Sequence, residues 1–171
     1  MTDTFKSGYA SIIGRPNVGK STLLNRLLMQ KVAVTSRRPQ TTRNKITGVL
    51  HLPNAQIILV DTPGIHQSER TLNEMMVRTS VSTFSDVDLI LMMLSADAGF
   101  CEEDEFVLKS MKQVKTKKVL VVNKIDLVEK PILLSLMDEM NKKSLFEEII
   151  PISALKEDGL EQLKNLILKY L

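Results

Sequence analysis

The chain has 171 residues, of which 43% are hydrophobic and 25% charged, so its composition is that of a globular domain and excludes a disordered chain. This length allows one well-buried core and is short for two, so we expect a single domain over residues 1–171. The net charge of +3 is compatible with an anionic ligand without requiring nucleic acid, and the single cysteine, Cys101, excludes an internal disulfide and a multi-cysteine zinc site.

Apolar segments of strand length alternate with amphipathic segments of helix length, which is typical of a parallel sheet covered by helices on both faces. The predicted strands cover residues 9–13, 46–52, 57–61, 89–95, 119–123 and 149–153, and predicted helices begin near Lys20, Leu72, Glu103, Pro131 and Leu160. A short link over 53–55 predicts that the second and third strands pair antiparallel. The sequence therefore predicts an α/β fold: a three-layer, doubly wound, six-stranded and mostly parallel sheet with one antiparallel edge strand.

The first predicted strand leads directly into GRPNVGKS, residues 14–21, and then into the helical segment TLLNRLL. This is the strand, loop and helix context of a P-loop, in which backbone N–H groups and a helix N-terminus cradle phosphates. We expect Lys20 to reach the terminal phosphates and the Ser21 hydroxyl to ligate Mg²⁺. The predicted nucleotide-binding residues here are Gly14, Arg15, Pro16, Asn17, Val18, Gly19, Lys20, Ser21 and Thr22.

Two long polar segments follow, TSRRPQTTRNK over 35–45 and TPGIHQSERT over 62–71, and loops of this length are usually functional. In the first, Thr41 and Thr42 lie where a hydroxyl can complete the Mg²⁺ shell when a third phosphate is present, and we favour Thr42. At the start of the second, an aspartate can hold Mg²⁺ through water while a glycine amide contacts the last phosphate. The predicted residues of this element are Asp61, Thr62, Pro63 and Gly64.

Ile65 occupies the position where small GTPases often carry a glutamine that orients the attacking water. An isoleucine side chain neither donates nor accepts a hydrogen bond, so we expect intrinsic hydrolysis to be slow or to depend on another group. His66 is adjacent, but a lone histidine in a polar loop is more often not catalytic. The catalytic assignment therefore goes to Lys20, Thr42 and Gly64, which act by positioning and electrostatics.

The segment Asn123-Lys124-Ile125-Asp126 follows the fifth predicted strand, at the edge where open α/β sheets bind ligands. The Asp126 carboxylate can accept both N1–H and N2–H of guanine, whereas adenine offers an acceptor at N1 and no amine at C2. Such a site rejects the analogue by roughly 10⁴ or more. We expect Asn123 to bond the other purine edge and brace the P-loop, and the Lys124 stem to lie against the ring. After the sixth strand, the segment Ser153-Ala154-Leu155 could offer a backbone N–H to the guanine carbonyl, with Ser153 holding the loop.

With these five elements in order, the sequence resembles the Era-like GTPases. The resemblance rests on GRPNVGKSTLLNRLL, SRRPQTTRNKITGV, DTPGIH, LNEMM, DVDLIL, NKIDLV and PISALKEDGLEQL, which together span nearly the whole chain from Tyr9. It implies a monomeric GTPase that binds GTP, GDP and Mg²⁺, assists assembly of the 30S ribosomal subunit and binds 16S rRNA. It also implies a cytoplasmic protein that in some members associates with the inner membrane, and no segment here has the length and apolar character of a membrane span.

Two further implications of the resemblance concern RNA and potassium. Members of the family bind RNA through a C-terminal KH domain, and no Gly-x-x-Gly loop of that kind precedes Leu171 in this chain. Related GTPases that lack the glutamine often use K⁺ held by a P-loop asparagine, which corresponds to Asn17 here. A K⁺ ion at Asn17 is therefore a hypothesis.

Three other functions are compatible with the motifs. A metabolic P-loop kinase or ATPase is disfavoured by Asp126. A module that binds GTP with negligible hydrolysis stays an alternative because of Ile65. Another ribosome-assembly or tRNA-modifying GTPase of the same class would share the chemistry and differ in its partner.

Overall fold

The computed structural model describes residues 5–32, 46–61 and 86–171. Six strands are present there: β1 Lys6–Ile13, β2 Ile46–Leu52, β3 Ala55–Asp61, β4 Leu89–Ser95, β5 Lys117–Asn123 and β6 Glu148–Pro151. The α-helices of the described ranges are α1 Lys20–Leu28, α2 Glu102–Met111, α3 Lys130–Lys142 and α4 Leu160–Tyr170. The helix predicted from Leu72 lies outside the described residues.

The six strands form one sheet in the order β2-β3-β1-β4-β5-β6. Only the edge pair β2 and β3 is antiparallel, and the other four pairs are parallel. The predicted fold class, including its antiparallel edge strand, is therefore confirmed. Strand β6 ends at Pro151, two residues before the predicted end, because Ser153 pairs instead with Asp158 across a turn.

Helices cover both faces of the sheet, which makes three layers. Alternate side chains of β5 point to opposite faces, so Val119 and Val121 pack with α1 and α4 while Leu120 and Val122 pack with α2 and α3. All seven residues of β4 are buried, as expected for a central parallel strand. In the described part of the chain, no helix is long and apolar enough to cross a membrane.

Parallel pairing brings the carboxyl ends of the central strands to one edge. The register aligns Ile12 of β1 with Asp61 of β3, and Ser95 of β4 with Asn123 of β5. The loop after β1 and the segment after β5 therefore emerge side by side, at the edge where open α/β sheets bind ligands.

Candidate nucleotide site

Two glycines of the loop over 14–19 have backbones that other residues rarely adopt. Gly14 has φ 151° and Gly19 has φ 105°. A Cβ at Gly14 would lie 2.6 Å from the Met93 carbonyl oxygen, and one at Gly19 would collide with the Asn123 side-chain amide. Both positions therefore require glycine, and the loop they shape leads directly into α1.

The N-terminus of α1 is suited to an anion. Its first residue follows Gly19, which provides no side-chain cap, and its first turn carries no acidic residue. By contrast, the first turn of α2 has four acidic residues, from Glu102 to Glu105. The partial positive charge at the start of α1 is therefore available to phosphate groups without a competing carboxylate.

Lys20 is held beneath the loop by backbone carbonyl groups. Its side chain is buried, with the residue only 7% exposed. The ammonium Nζ donates to the carbonyl oxygens of Gly14 at 2.9 Å and Arg15 at 2.8 Å. These bonds compensate the burial of a charge and fix the amine at the phosphate-binding loop.

Asn123 joins the two halves of the predicted site. The residue is 3% exposed, and its Nδ2 donates to the Val18 carbonyl at 2.8 Å. Its Oδ1 accepts a hydrogen bond from the Ala154 N–H at 2.9 Å. An amide side chain can do this because it has a donor and an acceptor at one end. The structure thus ties the P-loop, the end of β5 and the 153–155 segment together through one residue.

Replacing Asn123 by alanine is expected to lower the free energy of unfolding by about 2–4 kcal/mol, because the Val18 carbonyl and the Ala154 N–H lose their partner in a buried place. Urea unfolding of the nucleotide-free protein measures this loss. Asn141→Ala, an exposed change on α3, is the control and should shift the value by less than about 0.5 kcal/mol. Equal effects of the two substitutions would contradict the bracing role.

Asp126 lies in a short 3-10 turn, Ile125–Leu127, immediately after β5. Its Oδ1 accepts a hydrogen bond from the Ser153 hydroxyl at 2.6 Å, and the Ser153 oxygen in turn accepts from the Lys156 N–H at 3.1 Å. Asp126 itself is exposed, whereas Ser153 is buried. A buried hydroxyl therefore orients an accessible carboxylate, which retains acceptor capacity for a ligand with two adjacent donors.

The backbone N–H groups after β6 are largely engaged. The Ser153 N–H donates to the Asp158 carbonyl at 3.0 Å, and the Ala154 N–H donates to Asn123. Leu155 is exposed, whereas Ala154 is buried. The contacts of Ser153 agree with the predicted role of this residue in holding the loop, and a donor for a guanine carbonyl in this segment stays a prediction.

Asp97 is a site residue that sequence reasoning missed. Its Oδ1 accepts from the Ser95 hydroxyl and lies 3.5 Å from the Lys124 Nζ. Partial burial alone would raise the pKa of Asp97, but the Ser95 hydrogen bond and the Lys124 charge outweigh it and lower the pKa. The sequence feature that could have identified Asp97 is the segment Ser95-Ala96-Asp97 at the carboxyl end of β4. The sheet register places Ser95 beside Asn123. Asp97 thus lies beside Lys124 at the carboxyl edge of the sheet.

Some predicted site residues fall outside the described part of the chain: Thr42 with its alternative Thr41, Thr62, Pro63 and Gly64. Ile65 and His66, which the sequence did not assign to the site, lie outside it as well. Asp61 is placed at the end of β3, in register with Ile12. Ser21 lies in the first turn of α1, next to Lys20. A hydroxyl oxygen beside a phosphate-binding loop is a suitable ligand for a hard cation such as Mg²⁺.

Comparison with known proteins agrees with this geometry. Residues 9–124 match the family described as 50S ribosome-binding GTPase. The chain belongs to this GTPase family. Over 167 residues it is 49% identical to GTPase Era of Syntrophus aciditrophicus (strain SB), a match that covers 98% of this chain and 55% of that protein. The chain thus spans about half the length of the curated relatives it matches.

Two solved Era structures are also similar to this chain. One is Era in complex with MgGDPNP and nucleotides 1506–1542 of 16S ribosomal RNA, with a TM-score of 0.91, 43% identity and coverage of 98% of this chain and 57% of that one. The other is an Aquifex aeolicus Era variant bound to GDP and AlF₄⁻, with a TM-score of 0.90, 43% identity and the same coverages. The resemblance to the Era-like GTPases inferred from the sequence is confirmed.

Proposed function

We propose that residues 1–171 form the GTP-binding and GTP-hydrolysing domain of a protein that assists assembly of the small ribosomal subunit and maturation of its 16S rRNA. The observation that carries the GTPase proposal is the Asn123 side chain, which holds the P-loop and the base-reading segment in one unit. The family description names the 50S ribosome. The curated relatives described above are Era proteins, and one solved Era holds a 16S rRNA fragment, which favours the small subunit.

The reaction is in-line attack of water on the terminal phosphorus of GTP. The bond from that phosphorus to the oxygen bridging the β-phosphate breaks, and GDP and inorganic phosphate leave. Lys20 and the N–H groups of the loop over 14–19 stabilise the charge that develops on the phosphate oxygens. Ser21, Thr42 and Asp61 would hold Mg²⁺, which would supply positive charge against the phosphate oxygens, and the Gly64 N–H would contact the terminal phosphate.

The guanine base is recognised at the other end of the site. Asp126 accepts from N1–H and N2–H, with its carboxylate oriented by Ser153. The Lys124 stem covers the ring while its ammonium group pairs with Asp97. An amide of Ala154 or Leu155 donates to the guanine carbonyl.

We propose that K⁺ assists hydrolysis, because the Ile65 side chain cannot orient the attacking water. Asn17 is exposed in the P-loop and has a left-handed backbone with φ 64°. We expect single-turnover phosphate release from GTP to be about tenfold faster or more in KCl than in NaCl at equal ionic strength, because K⁺ would add positive charge near the transferred phosphate.

Asn17→Ala should remove the difference between the two salts while GDP binding persists. Equal rates of phosphate release in KCl and NaCl would contradict the potassium proposal. Release in neither salt would instead favour the second candidate, a GTP-dependent binding module, which Ile65 supports.

The RNA partner belongs to the proposal for the whole protein. The chain covers 55% of its Era relative, so we assign RNA binding to a KH domain in the remaining length. Adding an RNA of nucleotides 1506–1542 of 16S rRNA to the phosphate-release assay tests this assignment, because the full-length protein should respond and residues 1–171 should not. We propose a monomer in the cytoplasm with peripheral association at the inner membrane.

A further inference from the structure

The side chain of Arg15 turns from the P-loop toward α2. Its Nε lies 3.1 Å from Oδ2 of Asp104, and the two side chains are 14% and 0% exposed. Asp104 also accepts hydrogen bonds from the N–H and the thiol of Cys101, both at 3.2 Å, and thereby caps the start of α2. One buried carboxylate therefore joins the P-loop to the first turn of a helix on the other face of the sheet.

The ion pair is only half formed. Nη2 of Arg15 and Oδ1 of Asp104 are buried without a hydrogen-bond partner in the described residues. Arginine and a carboxylate commonly form two parallel bonds, and these are the atoms that a second bond would join. Burial raises the pKa of Asp104 despite the opposing effects of Cys101 and Arg15, so the surroundings do not fully compensate its charge.

A buried ion pair of this kind is weak evidence for stability. Desolvation of both charges commonly offsets their attraction, and apolar replacements are often neutral or stabilising. The position of the pair points to another role. Arg15 also supplies a backbone carbonyl that holds the Lys20 Nζ at 2.8 Å, so whatever fixes Arg15 also fixes the amine.

We propose that the Arg15–Asp104 ion pair is a positioning device that holds the first residues of the P-loop against α2 and keeps Lys20 aligned with the nucleotide phosphates. Asn123 holds the later part of the loop through Val18, so the loop is fixed from both faces of the sheet. The inference rests on the proposed function, in which Lys20 binds phosphate. Arg15 acts here through Lys20 and is not itself a catalytic residue.

The test measures release of a fluorescent GDP analogue after addition of excess GDP. Arg15→Met and Asp104→Asn each break the charge pair, and asparagine at 104 retains an acceptor for the Cys101 N–H. We expect each variant to release nucleotide about tenfold faster, and the double variant to release it no faster than either single one, because both changes remove the same interaction.

The control is Glu105→Gln on the same turn of α2. Glu105 pairs at 3.3 Å with Lys143, the residue directly after α3, and belongs to neither the P-loop nor the Arg15 pair. The Glu105→Gln variant should release nucleotide at a rate within about twofold of the unchanged chain, as expected for a partly exposed ion pair. Urea unfolding of every variant establishes that the protein is folded under the assay conditions.

A second measurement distinguishes a loss of P-loop positioning from a loss of stability of the whole domain. In the nucleotide-free protein, hydrogen exchange should accelerate at the Gly14 and Arg15 amides of the Asp104→Asn variant and at the Gly14 amide of the Arg15→Met variant, while β4 amides stay protected. Unchanged release in the folded variants, or additive effects in the double variant, would overturn the inference. If a single variant fails to fold, nucleotide release from the double variant tests the inference instead. If the unchanged chain binds no guanine nucleotide, the proposed function fails first.

Discussion

Lys20→Ala should weaken GDP and GTP binding by about 100-fold or more, which is the range for removing one partner of a buried, hydrogen-bonded charge pair. The physical reason is that the buried ammonium of Lys20 is fixed by two loop carbonyls where the phosphates are proposed to bind. Alanine supplies no charge to offset the phosphates, and it leaves the Gly14 and Arg15 carbonyls near them. Calorimetric titration with GDP in Mg²⁺ buffer measures the loss.

The chain contains a matched control for this change. Lys118 is also 7% exposed, and its Nζ also donates to two backbone carbonyls, those of Val114 and Thr116. It lies at the amino end of β5, opposite the edge that holds the P-loop. Lys118→Ala should lower stability and leave nucleotide affinity within about twofold. Retained affinity in Lys20→Ala, or an equal loss in Lys118→Ala, would refute the phosphate site.

The fold could be predicted from sequence because its signals are local. The apolar runs over 89–94 in β4 and 119–122 in β5 each end at a polar residue, Ser95 and Asn123, so the position of the buried strand follows from composition. The P-loop is similarly local, since Gly14, Gly19 and Lys20 lie within seven consecutive residues. Parallel pairing of neighbouring apolar strands then places the motifs at one edge without further information.

The contacts between motifs could not be predicted in the same way. Arg15 and Asp104 are 89 positions apart, and their meeting depends on which side of α2 faces the loop. Lys124 meets Asp97 only because the β4–β5 register aligns Ser95 with Asn123. The sequence predicted a helix start near Glu103, but neither the capping of that helix by Asp104 through Cys101 nor the contact of Asp104 with Arg15 was predicted.

Asp126→Asn should abolish the preference for guanine nucleotides over adenine nucleotides, which we expect to be roughly 10⁴ in the unchanged chain. The asparagine amide presents N–H donors to the N1–H and N2–H donors of guanine, so the variant replaces an attraction with a repulsion. Ser153 can still donate to the side-chain oxygen at 126, so the turn should keep its shape. Dissociation constants for GDP and ADP, measured by calorimetry, report the preference.

Xanthosine diphosphate provides a second test of the Asp126 contact, because xanthine carries a carbonyl at C2 where guanine carries an amine. The amide of Asp126→Asn can donate to that carbonyl, so the variant should bind the xanthine nucleotide more tightly than GDP. Asp138→Asn, at an exposed carboxylate on α3 that pairs with Lys142, is the control and should keep the guanine preference. A guanine preference that survives Asp126→Asn would show that another group reads the base. Because the phosphates would still meet Lys20, such a result would remove the base specificity from the proposal and leave the P-loop assignment standing.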